Sequence, residues 1–320
     1  MMAAERRGRV RGRRGETVTT TPASRDLRSA RLLEDRVTRV FRELPGAVAG
    51  HDEAVHQSRV AGRRLRVALP LLALEPDGRD VRRAVRVLRR LTRTIGAGRD
   101  MDVALGLLQD RLDGLRASSA EQRALLSRLR AARARSRSQG AEGVVDLDID
   151  GLRRSLRRLL KRGAAGAERV LARTRAFRES QGASLLRGFS QVGVRYRPEA
   201  LHGLRRRIRR LRYAAELEDA VRGEDSRAPS LFKRLQDAIG ALHDHHVLAA
   251  WLEEQARSAA ARDNQLLARA ALRERRAFTA TGRLLHRALV ETQPADAALR
   301  ALMAMARSRS ILSQARRPRA

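Results

Sequence analysis

Apolar residues recur every three or four positions almost without a break from Ser24 to about residue 308, and no stretch alternates as a strand does. The spacing predicts an all-α chain. Leu32, Leu33, Val37, Val40, Phe41 and Leu44 mark a first helix that Ser24 can cap and Pro45-Gly46 can end. A second runs from near Asp52 to Leu74, and Glu75-Pro76-Asp77-Gly78 forms the turn after it. A third covers 79–95, with Val81, Val85, Leu88 and Leu91 on its apolar side, and Gly96-Ala97-Gly98 breaks it. Asp100 then caps a fourth through Val103, Leu107, Leu108 and Leu112. Ser119 and Gln122 give a capping-box signal for a helical run to Arg137. Beyond a boundary at 138–150, helical stretches follow from Leu152, around 166–180 and 183–193, and from Pro198. After a loop at 223–229 the pattern gives helices at 231–239, 243–257, 262–291 and 295–308. Residues 1–23 carry no apolar period and read as a disordered basic arm, and 309–320 read as a basic tail.

The polar side of the second helix is unusual. At about 100° per residue, His56, Arg59, Arg63 and Arg66 fall on one stripe, with Arg64 beside it. Ala61, Leu65, Ala68, Leu69 and Leu72 fall roughly opposite. One face is built for burial, and the other is a row of cations that repel one another unless an anion lies against them. The pattern returns at 201–217, where His202, Arg205, Arg209 and Arg212 repeat the spacing. A second block also repeats: Leu91, Ile95, Gly96, Ala97, Asp100 and Val103 correspond to Leu235, Ile239, Gly240, Ala241, Asp244 and Val247. Two blocks in the same order predict an internal duplication, with one half at 24–140 and the other at 151–308.

Charge sharpens this picture. The chain of 320 residues has 69 basic against 36 acidic residues, a net charge of +33, and Lys161 and Lys233 are its only lysines. GC-rich codon usage accounts for arginine over lysine but not for the depletion of acids. The excess points to a polyanionic partner such as nucleic acid, an anionic membrane surface or another polyphosphate. Cysteine is absent, which rules out disulfides, thiolate metal sites and thiol nucleophiles and fits a reducing compartment. No stretch reaches the length of a membrane span, and the N-terminus lacks the apolar run of a secretory signal. Aromatics are 2% of the chain, too few for the stacking platforms of single-stranded nucleic-acid binders.

Other candidate chemistry is weaker. Asp146, Asp148, Asp150 and Gly151 resemble the start of a calcium loop, but the position that needs a bidentate Glu is Arg157. An acidic turn capping a basic helix explains them better. His243-Asp244-His245-His246 looks like a metal cluster, yet only His243 and His246 share a helix face. The other half has the counterpart of Asp244 but of none of these histidines. The His-Asp dipeptides at 51–52 and 243–244 are also found in all-α metal phosphohydrolases, but no further ligand series accompanies them. His56 and His202 lack a carboxylate placed to orient them as bases, so a binding role fits better.

The blocks Val55-His56-x-x-Arg59-Val60-x-x-Arg63-Arg64-Leu65-Arg66 and Leu201-His202-x-x-Arg205-x-x-x-Arg209-Arg210-Leu211-Arg212-Tyr213 resemble the signature helices of the CHAD family, the conserved histidine α-helical domain. Ile95-Gly96-Ala97-Gly98-Arg99-Asp100 and the stretch from Lys233 to Val247 resemble its second motif in each half. The resemblance covers about residues 25 to 308. It implies two pseudo-symmetric four-helix bundles with a basic pore or cleft between them, binding of inorganic polyphosphate, and association with polyphosphate granules in the cytoplasm. The ExExK signature of the triphosphate tunnel domain that precedes some relatives is absent. His243 and His245 depart from the residue types usual in the second motif.

The binding residues expected from stripe and resemblance together are His56, Arg59, Arg63, Arg64 and Arg66 in the first half, and His202, Arg205, Arg206, Arg209, Arg210 and Arg212 in the second. Arg99 and Lys233 add one cation from each second motif. The expected function is non-enzymatic polyphosphate binding, with no cofactor and no resident metal. Sequence-independent nucleic-acid binding is the alternative, and a metal-dependent phosphohydrolase a more remote one.

Overall fold

The computed structural model describes residues 22–193 and 196–307. Among them are eleven helices and no strand, so the all-α expectation holds. The first five are α1 (Pro22–Val48), α2 (Asp52–Leu72), α3 (Arg79–Thr94), α4 (Gly96–Asp113) and α5 (Ala120–Val145). The remaining six are α6 (Ile149–Arg162), α7 (Ala167–Ser190), α8 (Pro198–Arg222), α9 (Ala228–Ala260), α10 (Gln265–Glu291) and α11 (Pro294–Arg307). The basic arm up to residue 21 and the tail from 308 lie outside the described residues.

Several local signals act as expected. Ser119 accepts from Gln122 N–H, and the Gln122 side chain accepts from Ser119 N–H, closing the capping box of α5. Pro198 stands in the first turn of α8. Asp148 accepts from Gly151 N–H at 2.8 Å and pairs with Arg83, so the acidic turn caps α6.

Others are overridden by packing. α1 does not end at Pro45-Gly46 but reaches Val48, because Pro45 forfeits only its own N–H while Leu44 and Ala47 stay buried. Gly50, with φ at +81°, makes the actual stop. Ser24 lies inside α1 rather than ahead of it, and Asp100 lies inside α4 rather than at its cap. The expected breaks near 182 and 241 are absent, leaving α7 and α9 continuous. At Gly182 a Cβ would approach Leu302 to 2.9 Å, so this glycine serves a close approach to α11. The corresponding break in the first half is real: Ile95 joins α3 to α4 in a single residue. The break falls at Ile95, and Gly96 and Gly98 follow it in the first turn of α4, whereas Leu242 of α9 replaces the second glycine and is wholly buried.

The continuous α9 shapes the core. Its first part, Phe232 to Leu242, joins a large core with residues of α1, α2, α3, α6, α7, α8 and α11. Its second part, Leu248 to Ala259, joins a smaller core with α4, α5 and α10. Each core therefore mixes residues from before and after residue 150, and neither half encloses a core of its own. The segments 96–100 and 243–247 fall at the junction between the two cores.

α2 is pressed against α3 at Gly62, where a Cβ would meet Thr92 Cγ2 at 2.7 Å. Gly106 of α4 has nothing within 4 Å of such an atom. Gly62→Val is expected to lower stability by about 1–3 kcal/mol through overpacking. Gly106→Ala should raise it by about 0.5–1 kcal/mol, since alanine leaves the unfolded chain fewer conformations to lose on folding. Thermal melts of the two variants check both signs.

Candidate functional site

α2 and α8 lie against each other with their apolar sides sunk in the large core. Leu65, Leu69 and Leu72 of α2 and Leu204, Ile208 and Leu211 of α8 are almost wholly buried. Helical periodicity then leaves the two arginine stripes beside one another along the seam. Arg209 is the largest charge acting on Arg63, and it acts on Arg66 as well.

The members of the stripes have different fates. Arg59 is 6% exposed: it donates to Gly96 O at 2.8 Å and to Asp100 Oδ1 at 3.2 Å. Arg205 approaches Asp244 Oδ1 at 3.7 Å. Both contacts tie a stripe to the second motif of its half at the junction of the cores. Arg64 binds Glu216 with two hydrogen bonds, at 2.9 and 3.1 Å, and Arg212 adds a third at 3.0 Å. Arg66 donates to Thr92 Oγ1 at 3.2 Å, and Arg210 lies 5.2 Å over the Phe177 ring. Lys233 is exposed and pairs with Asp237 one turn along α9. Arg99 is half-buried in α4, and its charge reaches Asp52 and Asp244. Arg206 is exposed and acts on His202, Arg209 and Arg210. His56 is half-buried on α2.

Arg63 and Arg209 are set apart. Neither makes a hydrogen bond or ion pair among the described residues, and both are only partly open to solvent. Burial first, then neighbouring arginines, pushes both guanidiniums below their ordinary range. Arg66 and Arg210 shift the same way, Arg66 through burial and Arg89, Arg210 through burial and Arg207. A guanidinium stays protonated at neutral pH, so these shifts reflect charge held in a partly buried place, with neighbouring arginines adding to the cost, and not lost charge.

The sequence reading missed Arg89 and Arg93 of α3, which bear on Arg66. Their signal was present: 86, 89, 90 and 93 form an arginine stripe opposite Val81, Ala84, Leu88 and Leu91. It also missed Arg36 of α1, which comes within 4.0 Å of Glu216.

The histidines scatter. His202 of α8 and His243 of α9 meet with ring centroids 5.3 Å apart and planes tilted by 42°. Burial, then Arg206 and Arg205, holds His202 low; burial, Arg205 and His202 hold His243 down to about 4. His245 Nδ1 contacts Ala241 O at 2.8 Å, and its ring sits 5.8 Å from that of Phe278. Among the described residues no group of three or more His, Asp or Glu side chains is placed to hold a metal ion.

The family model described as the CHAD domain matches residues 31–253, well over half the chain. The chain belongs to the CHAD family. It is similar to the crystal structure of the CHAD domain from the plant Ricinus communis, at 22% identity. That match covers 87% of this chain and 91% of the other, with a TM-score of 0.57, and at such identity the likeness shows the fold alone. No curated protein matches the chain. No helix of this CHAD protein among the described residues is long and apolar enough to cross a membrane.

The CHAD stripes thus contain two kinds of arginine, and stability separates them. Arg59→Ala leaves Gly96 O and Asp100 without their donor, so a loss of about 1–3 kcal/mol is expected. Arg63→Met keeps the apolar stem and removes an unpaired charge, so that variant should melt at or above the parent. A melt of each protein decides the order.

His243 supplies a pH signature. Its folded value of about 4 lies below the ordinary 6.5. As pH falls through that ordinary value the unfolded chain takes the proton first, so this group's contribution is complete above it and is lost between there and the folded value. Asp244 beside it is shifted upward by burial and acts in the opposite sense. His243→Gln should reduce the fall in melting temperature between about pH 7 and about pH 5.

Proposed function

We propose that this CHAD protein binds inorganic polyphosphate along the α2–α8 seam and carries out no chemistry on it. The family is linked to polyphosphate binding in general. The observation that carries the reading for this chain is the pair Arg63 and Arg209, brought together with no carboxylate bonded to either. Asp100 offsets the charge on Arg63 without bonding to it, and an anion from outside would relieve the pair further. A phosphate unit of the polymer offers oxygens that a guanidinium grips with two parallel hydrogen bonds. Arg66, Arg89 and Arg210 continue the positive field to either side of the pair. The donors stand on rigid helices, so little order is lost by the protein on binding. Polyphosphate has no bases to stack on, and a surface with so few aromatics loses nothing by that.

On this reading the seam serves as the basic cleft that the family resemblance implies, with the two repeated His-Arg stripes as its walls. A site that holds several units of a flexible polymer also favours residence where the polymer is concentrated, at polyphosphate granules. Arg59 and Arg205 serve this site by fixing the stripes in place, while Arg63, Arg66 and Arg209 make the contacts.

Competition between long-chain polyphosphate and duplex DNA of equal phosphate content, at about 150 mM salt, tests the reading. Polyphosphate should win. Arg63→Met and Arg209→Met should each weaken binding by about 1–3 kcal/mol and flatten the salt dependence by roughly one contact. Removal of residues 1–21 should weaken it less than either. The same incubations with magnesium or manganese should release no phosphate. Equal or better DNA binding, or metal-dependent release lost on changing His243 and Asp244, would reverse the conclusion.

A further inference from the structure

The α8 stripe does not stop at Arg212. One turn on, the same face carries Glu216, which stands as far past His202 as Pro70 stands past His56 on α2. One stripe therefore ends in a carboxylate and its counterpart does not. Glu216 is mostly buried, and its surroundings are cationic on three sides. Oε2 accepts from Arg64 Nε at 2.9 Å, while Oε1 accepts from Arg64 Nη2 at 3.1 Å and from Arg212 Nε at 3.0 Å. Arg36 Nη2 of α1 lies 4.0 Å from Oε2. Tyr213 sits beneath, with Arg64 at 5.4 Å and Arg212 at 6.0 Å from its ring centroid.

One carboxylate cannot neutralise three guanidiniums, so the cluster keeps a positive surplus. Its geometry also matters. Two oxygens held by the fork of one arginine and a donor of a second is the arrangement that a phosphate unit would take up. Glu216 occupies, at the end of the Arg63–Arg209 row, a place chemically suited to the next phosphate. Beyond it, Arg64 and Arg36 line a recess with Arg39, Arg42 and Glu43, the last paired with Arg42, so a surplus of arginine continues on the far side of the carboxylate.

We propose that Glu216 is an internal competitor for the polyanion: it holds Arg64 and Arg212, ends the phosphate-binding row at Arg209, and so sets how many units the seam engages. The proposal rests on the polyphosphate reading of the seam. It makes Arg64 and Arg212 reserve donors, unlike Arg63 and Arg209, which are vacant from the start. It also makes Glu216 a determinant of selectivity. A ligand that reaches past Arg209 must displace a carboxylate held by three hydrogen bonds, whereas a ligand confined to the centre of the row need not.

The test is a set of four proteins: the parent, Glu216→Gln, Arg64→Ala, and the two changes combined. Each is titrated with long-chain polyphosphate and with duplex DNA over a range of salt. Glu216→Gln keeps the shape and removes the charge. It should bind polyphosphate about tenfold more tightly at low salt, with a salt slope steeper by about one contact. Arg64→Ala alone should stay within about twofold of the parent, because Arg64 is already engaged. In the Glu216→Gln background the same change should remove most of the gain, a non-additivity that a purely structural ion pair would not produce. Unchanged or weaker binding by folded Glu216→Gln overturns the proposal. So does an approximately tenfold loss for Arg64→Ala alone, which needs no charge-neutral variant to fold. If the parent fails to prefer polyphosphate, the functional reading falls separately. The Glu216→Gln comparison is then read on DNA, where a flat response overturns the competitor role.

Discussion

The fold has to accommodate like charge along one seam, where Arg209 of α8 acts on Arg63 of α2 and water screens both only in part. Two guanidiniums about 4 Å apart would repel by about 4 kcal/mol at an effective dielectric of about 20, and by less at greater separation. The residues beneath them decide the outcome. Leu65, Leu69, Leu72, Leu204, Ile208 and Leu211 are almost wholly buried along the same seam, and at roughly 1.5–3 kcal/mol apiece their burial exceeds the repulsion. The apolar seam forces the stripes together, and the unrelieved repulsion is what a polyanion answers.

The distribution of carboxylates follows from the same constraint. With 36 acidic residues against 69 basic, the acids cannot match the arginines one for one, and where the acids stand matters more than their number. Several staple helices well away from the seam. Glu274 is 1% exposed and accepts from Arg111 and Gln122, joining α10 to α4 and α5. Asp102 accepts from Arg133 and Arg137, and Asp80 from Arg158. Buried pairs of this kind add little net stability but fix orientation, because removing one partner strands the other. Among the described residues, the acids paired at the seam stand beside Arg59, Arg205, Arg64, Arg212 and Arg36, and Arg63 and Arg209 at the centre of the row make no such pair.

The junction between the two cores gives the seam its stiffness. Arg59 reaches the start of α4, and Arg205 reaches the middle of α9, each meeting an aspartate of the second motif. α9 runs through both cores, so a displacement of one core is carried to the other along a single helix. The row of donors is therefore held from its buried side by apolar packing and from its ends by ion pairs.

Much of this was legible in the amino-acid order. The three-to-four spacing of apolar residues determined the all-α class, and the repeated His-Arg stripes with their second motifs pointed to the family and to α2 and α8. Ser119 with Gln122, Pro198 and Asp148 acted locally as such residues do, because caps and turns draw on neighbours a few positions away. Tertiary packing decided what depends on distant neighbours. It carried α1 through Pro45 and kept α9 whole at Leu242, since buried side chains outweighed the local break signals. It also divided one row of similar arginines into those that meet an acid and those that do not. Arg64 finds Glu216 across 152 residues of sequence, and Arg63, its immediate neighbour, finds none. A stripe on a helix says which side chains point outward, but only the helix packed against it determines what they face.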